Sequence, residues 1–232
     1  MKSRMFEAGG KRVKTWNPIV GCRHGCIYCY ARELAEGRLK GTPKYGEGFK
    51  PKLWEPALKS RFHQGLVFVS DMGDAWGDWV PQEWIEKVLQ VVRKSPRATF
   101  LFLTKNPGRY QGLLEVMPPN VVLGATIETN RLTDSISKAP SPGERAIALR
   151  AIALGVPGYH RMVSIEPILD FDLEPFVGMI KWIHPDFTYV GYNNHHHKLP
   201  EPPLAKVKEL ISELGKFTEV REKTIRKAWW EV

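Results

Sequence analysis

The stretch from residue 15 to residue 30 reads TWNPIVGCRHGCIYCY and contains every cysteine of the chain. Residues 15–20 predict a short buried strand, and the residues from about Tyr30 to Arg38 predict a helix. Between the two lie Cys22, Cys26 and Cys29, spaced C-x3-C-x2-C. A strand, a thiol-rich loop and a helix in succession are typical of the first βα unit of a parallel sheet.

Further βα units follow along the chain. Short segments rich in Val, Ile, Phe, Leu and Thr predict buried strands at residues 66–70, 99–104, 120–128, 162–166 and 187–192. Helical periodicity appears at residues 83–94, 145–154 and 204–214, and Ser141 and Glu144 form a capping box before the second of these helices. About six βα units in a row predict an α/β fold with right-handed crossovers. Because a full eight-unit barrel takes about 250 residues, we expect a single domain over residues 1–232, a partial (β/α)6 TIM-like barrel of parallel strands.

The composition excludes several classes of protein. The chain has 232 residues, 43% hydrophobic and 25% charged, which is the profile of a globular domain and not of a disordered or collagen-like chain. No apolar run approaches the roughly 18 to 20 residues that a membrane span needs, and the basic N-terminus has no apolar signal segment. We therefore expect a cytoplasmic protein without membrane association, whose cysteines act as ligands and not as a disulfide framework.

Positive charge is concentrated at the start of the chain. Residues 1–65 hold 14 lysines and arginines against 5 acidic residues, and so account for the whole net charge of +9. This distribution favours a local anionic partner, such as nucleic acid, a phosphorylated substrate or an anionic cofactor. A solvated basic surface without a partner is the alternative.

Residues 37–65 interrupt the βα repeat as a basic insertion, with prolines, glycines and aromatic residues at positions 45, 49, 54 and 62. The composition predicts a long loop with a short helix, which either covers a site and grips a substrate or packs without a ligand. In the first case, its aromatic rings would stack on a nucleic-acid strand, and Lys44, Lys50 and Lys52 are candidate substrate contacts.

The cysteine spacing predicts a metal centre. Three thiolates on one tight loop suit three corners of an iron–sulfur cube, with the fourth iron open to another ligand. The alternative is a zinc site with three cysteines, completed by His24 or His63.

This loop, including the aromatic Tyr28 before the last cysteine, resembles the motif of the radical S-adenosylmethionine (SAM) superfamily. The resemblance implies a partial barrel with a [4Fe–4S] cluster bound by the loop after the first strand. It also implies that SAM chelates the open iron and is cleaved by one electron, giving a 5′-deoxyadenosyl radical that abstracts hydrogen from a substrate. An electron donor of the flavodoxin or ferredoxin type and a monomeric enzyme are further expectations.

A narrower resemblance covers most of the chain. Residues 15–18, 29–31, 67–74, 103–105, 124–128 and 164–167 are similar to an uncharacterised, phage-associated family of three-cysteine proteins, which is more distantly similar to spore photoproduct lyase. The chain departs from that family in its cysteine loop, where the first spacer is short, as in the radical SAM motif.

The resemblance implies that SAM is bound where the strands end. The candidate residues are Tyr28 of the cysteine loop, Ser70, Asp71, Gly73 and Asp74 after the second strand, Thr104 and Lys105 after the third, Thr126 and Glu128 after the fourth, and Ser164 and Glu166 after the fifth. Carboxylate and carbonyl oxygens near residues 70–74 would accept the amino group, and Lys105 would meet the carboxylate. Thr126 and Glu128 share one face of their strand and suit ribose hydroxyls.

Each of these assignments has a structural alternative. Asp78 is better suited than Asp71 or Asp74 to cap the helix predicted after Pro81, and Lys105 also reads as an exposed lysine at the start of a loop. The two glutamates, Glu128 and Glu166, could be paired by Arg131 and Arg161.

The sixth predicted strand runs into Tyr192, Asn193 and the histidines at 195–197. Tyr192, Asn193 and His195 are candidate substrate contacts at the rim that carries the cysteine loop. A metal site is disfavoured because consecutive side chains of an extended segment diverge, and an exposed polar loop is the remaining alternative.

Two functions of different classes follow from these patterns. The first is a radical SAM enzyme that acts on a substrate of unknown identity, for which nucleic acid is one candidate. The second is a non-enzymatic zinc- or cluster-bearing module that binds nucleic acid through its basic face.

Overall fold

A computed structural model describes residues 7–8, 11–155, 158–195 and 197–231 of the chain. Its centre is a seven-stranded parallel sheet. In chain order the strands are β1 (Lys14–Trp16), β2 (Gly65–Val69), β3 (Ala98–Thr104), β4 (Val121–Thr126), β5 (His160–Ile165), β6 (Phe187–Val190) and β7 (Glu219–Glu222). Each strand pairs with the next in the chain, so the sheet has the order of a half-barrel. The predicted partial TIM-like barrel is confirmed.

Helices connect the strands. They are α1 (Tyr30–Glu36), α2 (Gln82–Arg93), α3 (Pro142–Gly155), α4 (Leu173–Ile183) and α5 (Leu204–Leu214), with 3-10 helices at Glu55–Lys59 and Pro107–Val116. The capping box before α3 is present, because Ser141 Oγ accepts the Glu144 amide at 3.3 Å and Glu144 Oε2 accepts the Ser141 amide at 2.7 Å. Asp78 does not cap α2: it accepts a hydrogen bond from Asn106 Nδ2 at 2.7 Å. Among the described residues, none of the helices combines the length and apolarity that crossing a bilayer requires.

The first strand is shorter than predicted. The parallel strand β1 ends at Trp16, and Ile19–Val20 pair instead with Lys52–Leu53 of the insertion in a separate antiparallel ladder. The physical reason is Pro18, which has no amide hydrogen to continue the sheet. The insertion is therefore joined to the segment that leads into the cysteine loop.

The sheet also has one strand more than predicted. Strand β7 reads Glu-Val-Arg-Glu and pairs with β6 at the edge of the sheet. Three of its four residues are charged, so a search for apolar runs does not identify it as a strand. Arg221 stabilises the strand at the edge of the sheet through a cation–π contact, with its guanidinium 3.8 Å from the ring centre of Phe187.

The two faces of the sheet pack separately. The outer face, which includes Phe100 and Phe102 of β3, packs with the helices in the large core. On the inner face, Phe68, Leu101, Val122, Met162, Tyr189 and their neighbours form a smaller apolar cluster. Side chains two residues further along each strand lie on the same face. Continuing this alternation to the carboxyl ends brings Ser70, Lys105, Thr126, Glu128, Ser164 and Glu166 to the inner face, above the apolar cluster.

Candidate active site at the mouth of the half-barrel

The start of the cysteine loop packs between the segment that follows β2 and the insertion. Gly21 and Gly73 form a parallel β-bridge, and a Cβ atom on Gly73 would lie 2.8 Å from the Gly21 backbone. Gly21 has φ +79°, and a Cβ there would lie 2.3 Å from the carbonyl oxygen of Lys50. Both glycines are required by close backbone approach, which fixes where the loop begins.

The segment after β4 forms the other wall of the loop. The amide of Ile27 donates to the Ile136 carbonyl at 3.0 Å, and the amide of Lys138 donates to the His24 carbonyl at 2.6 Å. Ser137 Oγ lies 3.1 Å from Cys26 Sγ. Nothing in the local sequence marks Ser137 as a neighbour of the cysteines, and sequence reasoning missed it.

The three thiols suit an iron–sulfur cluster in their chemistry. All three are free, and burial raises the pKa of Cys22, with Asp74 and the other two thiols adding to this effect. The thiols are thus close enough to influence one another, and deprotonating them would require compensation by a cation. Among the described residues, no group of three or more Cys, His, Asp or Glu side chains is arranged to hold a metal ion, so ligation stays a prediction.

The zinc alternative requires a histidine as its fourth ligand. His24 is buried and its Nε2 lies 2.9 Å from Asp74 Oδ2, which leaves Nδ1 as the ring nitrogen for a metal. His63 is exposed and lies just before β2, at the amino end of the sheet, whereas the cysteine loop lies at the carboxyl end. The position of His63 therefore disfavours it as a ligand, and a zinc site completed by His24 stays the alternative.

Asp74 joins the cysteine loop to the end of β3. Besides His24, it accepts hydrogen bonds from the Thr104 hydroxyl at 2.7 Å and from the amides of Trp76 and Lys105 at 2.9 and 3.0 Å. These donors outweigh burial and hold the pKa of Asp74 below its usual value. Asp74 therefore positions the loop, and its oxygens are already occupied, which disfavours the predicted contact with a ligand amino group.

Glu128 is the second polar centre of the mouth and is wholly buried. It accepts hydrogen bonds from the Tyr28 hydroxyl, from Lys105 Nζ and, at 2.6 Å, from Arg145 Nη1. The structural alternative, in which Arg131 pairs with one of the two glutamates, is not observed, because Arg131 binds Asp170 and Asp172 instead. The partner that sequence reasoning missed is Arg145 of α3, which also donates to the Thr126 carbonyl at 2.6 Å.

Lys105 is the charged group of this network nearest to solvent, with 12% of its side chain exposed. Its ammonium donates to the Tyr28 hydroxyl at 2.6 Å. Burial lowers the pKa of Lys105 to about 7. The alternative of a freely exposed lysine is therefore wrong, and a small change of environment changes its charge near neutral pH.

The end of β2 carries a strained residue. Ser70 has φ 60°, in the left-handed region, and its buried hydroxyl has no hydrogen-bond partner among the described residues. The side chain of neighbouring Asp71 accepts a hydrogen bond from Asn17, and its carbonyl accepts one from the Tyr30 hydroxyl. Strain together with an unsatisfied buried hydroxyl indicates a binding position at this strand end.

The ends of β4 and β5 complete the inner rim. Thr126 and Ser164 are buried at the ends of these strands. Glu166 accepts a hydrogen bond from Lys223 Nζ at 2.5 Å, and burial raises its pKa. The predicted pairing with Arg161 is wrong, because Arg161 donates to the His184 carbonyl instead.

The chain after β6 folds back onto α1. The His195 ring stacks on Tyr30 with centroids 5.9 Å apart, and His197 Nε2 lies 2.7 Å from Glu33 Oε1. Asn193 supports both histidines through its side chain, and His196 lies outside the described residues. Tyr192 is wholly buried and donates to the Pro202 carbonyl, so its predicted substrate contact is not supported.

Most aromatic residues of the insertion pack against other parts of the protein. Tyr45 and Phe49 are buried against α1, and Phe62 packs on Trp16. These three rings are poorly placed to stack on a nucleic-acid strand, whereas Trp54 is half-buried, with Lys52 Nζ 5.5 Å from its ring centre, and stays a candidate for stacking. Lys44, Lys50 and Lys52 instead line a cleft of about 350 Å³ that faces Trp84 and Lys87 of α2.

Solved structures of spore photoproduct lyase share this fold. A double mutant with bound AdoMet and dinucleoside spore photoproduct aligns with a TM-score of 0.57 and 12% identity, over 89% of this chain and 61% of that one. A single mutant with the dinucleoside spore photoproduct aligns with a TM-score of 0.58 and 14% identity, over 88% and 60%. The chain thus spans about 60% of the length of these proteins.

The remaining comparisons concern sequence. A search of curated proteins returned no match. A family profile described as Protein of unknown function (DUF5131) matches residues 12–184, which include the cysteine loop and every polar strand end from β2 to β5. The chain belongs to this family.

Proposed function

We propose that the protein is a radical SAM enzyme whose site lies at the mouth of the half-barrel. The proposal depends on one observation, that the cysteine loop is hydrogen-bonded to the polar inner rim. The three free thiols lie on this loop after β1, and its Tyr28 donates to Glu128 of the rim. The fold shared with spore photoproduct lyase supports it.

When bound, a [4Fe–4S] cluster and SAM would supply one-electron cleavage to a carbon radical that takes a hydrogen atom from a substrate. Cys22, Cys26 and Cys29 would hold the cluster. In this proposal Lys105 binds the methionine carboxylate, because its ammonium is the charged group of the network that reaches solvent. Ser70 and Asp71 receive the amino group, and Thr126, Ser164 and Glu166 line the space for the ribose and the substrate.

Glu128 and Asp74 act as positioning residues in this proposal. Glu128 sets the places of Tyr28, Lys105 and Arg145, and Asp74 sets those of His24 and the end of β3. The buried charges are therefore arranged before a ligand arrives, which lowers the cost of organising the site.

Anaerobic purification followed by reconstitution with iron and sulfide tests the proposal. We expect a brown protein with broad absorption near about 400 nm that converts SAM to 5′-deoxyadenosine when reduced with dithionite. A colourless protein with stoichiometric zinc and no SAM cleavage would instead establish the binding-module alternative.

The substrate belongs to the same proposal. The fold likeness shows no substrate, but the charge of residues 1–65 favours an anionic one, and nucleic acid is the candidate with the largest charge. Lys44, Lys50 and Lys52 are its proposed contacts, together with Asn193 and His195 at the rim.

A further inference from the structure

A second, larger cleft of about 810 Å³ runs along the outer side of the cysteine loop. Cys22 lines it together with four cationic residues: Arg23 of the loop, Arg32 of α1, Lys50 of the insertion and Lys138 of the segment after β4. These residues come from separate parts of the chain, and they meet only because the insertion and the segment after β4 both pack against the loop.

The charge of this cleft is poorly neutralised. Two carboxylates line it, those of Glu36 and Glu47, and the Glu47 carboxylate lies 3.9 Å from Lys50 with both side chains largely exposed. Within the described parts of the chain, Arg23, Arg32 and Lys138 form no ion pair. Four cations against two carboxylates make the cleft a surface for an anionic partner.

The cleft lacks the features of a nucleic-acid groove. Its one aromatic residue, Phe49, is buried and is covered by Arg32, which lies 5.8 Å from the ring centre. Single-stranded nucleic acid binds through exposed rings on which its bases stack. An open cationic cleft without such a ring is better matched to the acidic surface of a protein.

The cleft is also separate from the mouth of the half-barrel. None of Ser70, Lys105, Glu128 and Glu166 lines it. The cysteine loop therefore belongs to two regions, because Cys22 lines the outer cleft and Tyr28 donates to Glu128 of the inner rim. A partner bound in the cleft would reach the cysteine loop without covering the polar inner rim, where SAM is proposed to bind.

We propose that this cleft is the docking site of an acidic one-electron donor protein, a flavodoxin or a ferredoxin. This inference rests on the proposed function, because reductive cleavage of SAM requires one electron from outside the chain. The donor loses that electron and the cluster held by the cysteine loop gains it. Electron-transfer partners form small, charge-guided interfaces, which suits a cleft lined by four cations and one partly buried cysteine.

The test compares two triple variants of equal charge change. The first, Arg23→Gln, Arg32→Gln and Lys138→Gln, discharges the cleft. The second, Lys94→Gln, Lys181→Gln and Lys208→Gln, discharges exposed lysines next to or on α2, α4 and α5. We expect the dissociation constant for oxidised flavodoxin, measured by calorimetry at low salt, to rise at least tenfold in the first variant and less than twofold in the second.

Enzyme assays separate this proposal from the proposed function. With saturating dithionite we expect both variants to cleave SAM at the wild-type rate, and with reduced flavodoxin we expect only the cleft variant to slow. Absence of cleavage with dithionite in the wild type would refute the proposed function. Equal weakening of flavodoxin binding in both variants, or no binding by the wild type, would overturn the docking site.

A nucleic-acid role would show itself in the same experiment. Binding of a single-stranded oligonucleotide to the cleft variant is measured beside flavodoxin binding. Loss of oligonucleotide binding with flavodoxin binding unchanged would overturn the proposal and assign the cleft to nucleic acid.

Discussion

The inner rim and the outer cleft treat charge in opposite ways, although the same cysteine loop forms part of both. On the inner side, the wholly buried Glu128 is matched by Lys105 and Arg145. On the outer side, Arg23 and Lys138 are exposed and form no ion pair among the described residues. The charges of the interior are buried and paired, whereas these two cations of the exterior are exposed and unpaired within the part of the chain that the structure describes.

The difference follows from the cost of burying charge. A buried ion without a partner costs several kcal/mol, so the inner charges must be paired and thereby fix one another in place. An exposed lysine or arginine costs little when unpaired and is left available to a partner. Inner charges therefore set the geometry of the site, and outer charges recruit what binds to it.

Removal of the thiols that lie between the two regions should have the largest effect. In the variant Cys22→Ala, Cys26→Ala and Cys29→Ala we expect iron to fall from about four per chain to none, while circular dichroism stays that of the wild type, since a core of this size does not need a metal to fold. Ser137→Ala is the matched control, because it removes the hydroxyl 3.1 Å from Cys26 Sγ and keeps all three thiols. Iron retained by the triple variant would contradict the ligand assignment.

Removing one carboxylate charge from each region tests whether buried charges depend on pairing more than exposed charges do. Glu128→Gln leaves the wholly buried Arg145 without its anion, and we expect the free energy of unfolding in urea to fall by about 3–5 kcal/mol. Glu47→Gln removes a carboxylate that is largely exposed, and we expect a change within about 0.5 kcal/mol. Equal effects would show that the interior network does not depend on pairing.

The scaffold was largely predictable because buried parallel strands are continuous apolar runs. Residues 66–70, 99–104 and 162–166 carry such runs and are strands within two residues at each end. Strand β1 was predicted too long because the apolar residues continue past Pro18, where pairing changes to the insertion. The sequence did not predict strand β7, because three of its four residues are charged. The guanidinium of Arg221 packs on Phe187 in place of an apolar side chain.

The site was predictable in part, since alternation along the strands is a local property. It assigns Thr126 and Glu128 to one face, and the polar strand ends do meet at one mouth. Their partners come from distant positions: His24 contacts Asp74, Tyr28 contacts Glu128, and Lys223 contacts Glu166. No local pattern encodes these pairs, because they arise only when the sheet curves and the loops pack on its edge.

The pH dependence of SAM binding should sharpen the account of the inner rim. Burial lowers the pKa of Lys105 to about 7, so its ammonium loses its proton as the pH rises through neutrality. If it binds the carboxylate of SAM, we expect affinity to decrease above about pH 7, by at most tenfold per pH unit. Calorimetry on the reconstituted protein from pH 6 to pH 9 measures this. Lys105→Arg stays charged throughout, and a pH profile identical to that of the wild type would rule Lys105 out as the titrating group.

The smallest effect is expected from the insertion, whose lysines line the 350 Å³ cleft beside α2. If they contact a nucleic-acid substrate, the logarithm of the binding constant should fall with the logarithm of salt concentration by about 0.7 to 0.9 per phosphate neutralised. Replacing Lys44, Lys50, Lys52 and Lys59 with glutamine should flatten that slope by a few such steps and weaken binding only modestly at high salt. Electrophoretic titration of single- and double-stranded oligonucleotides at two salt concentrations measures both quantities. Because Tyr45 and Phe49 are buried and Trp54 is the one ring of the insertion beside these lysines that is half-exposed, single strands should gain little advantage over duplexes here. An unchanged slope would mean that these lysines do not contact nucleic acid, and that Lys50 contributes only to the cleft lined by Cys22.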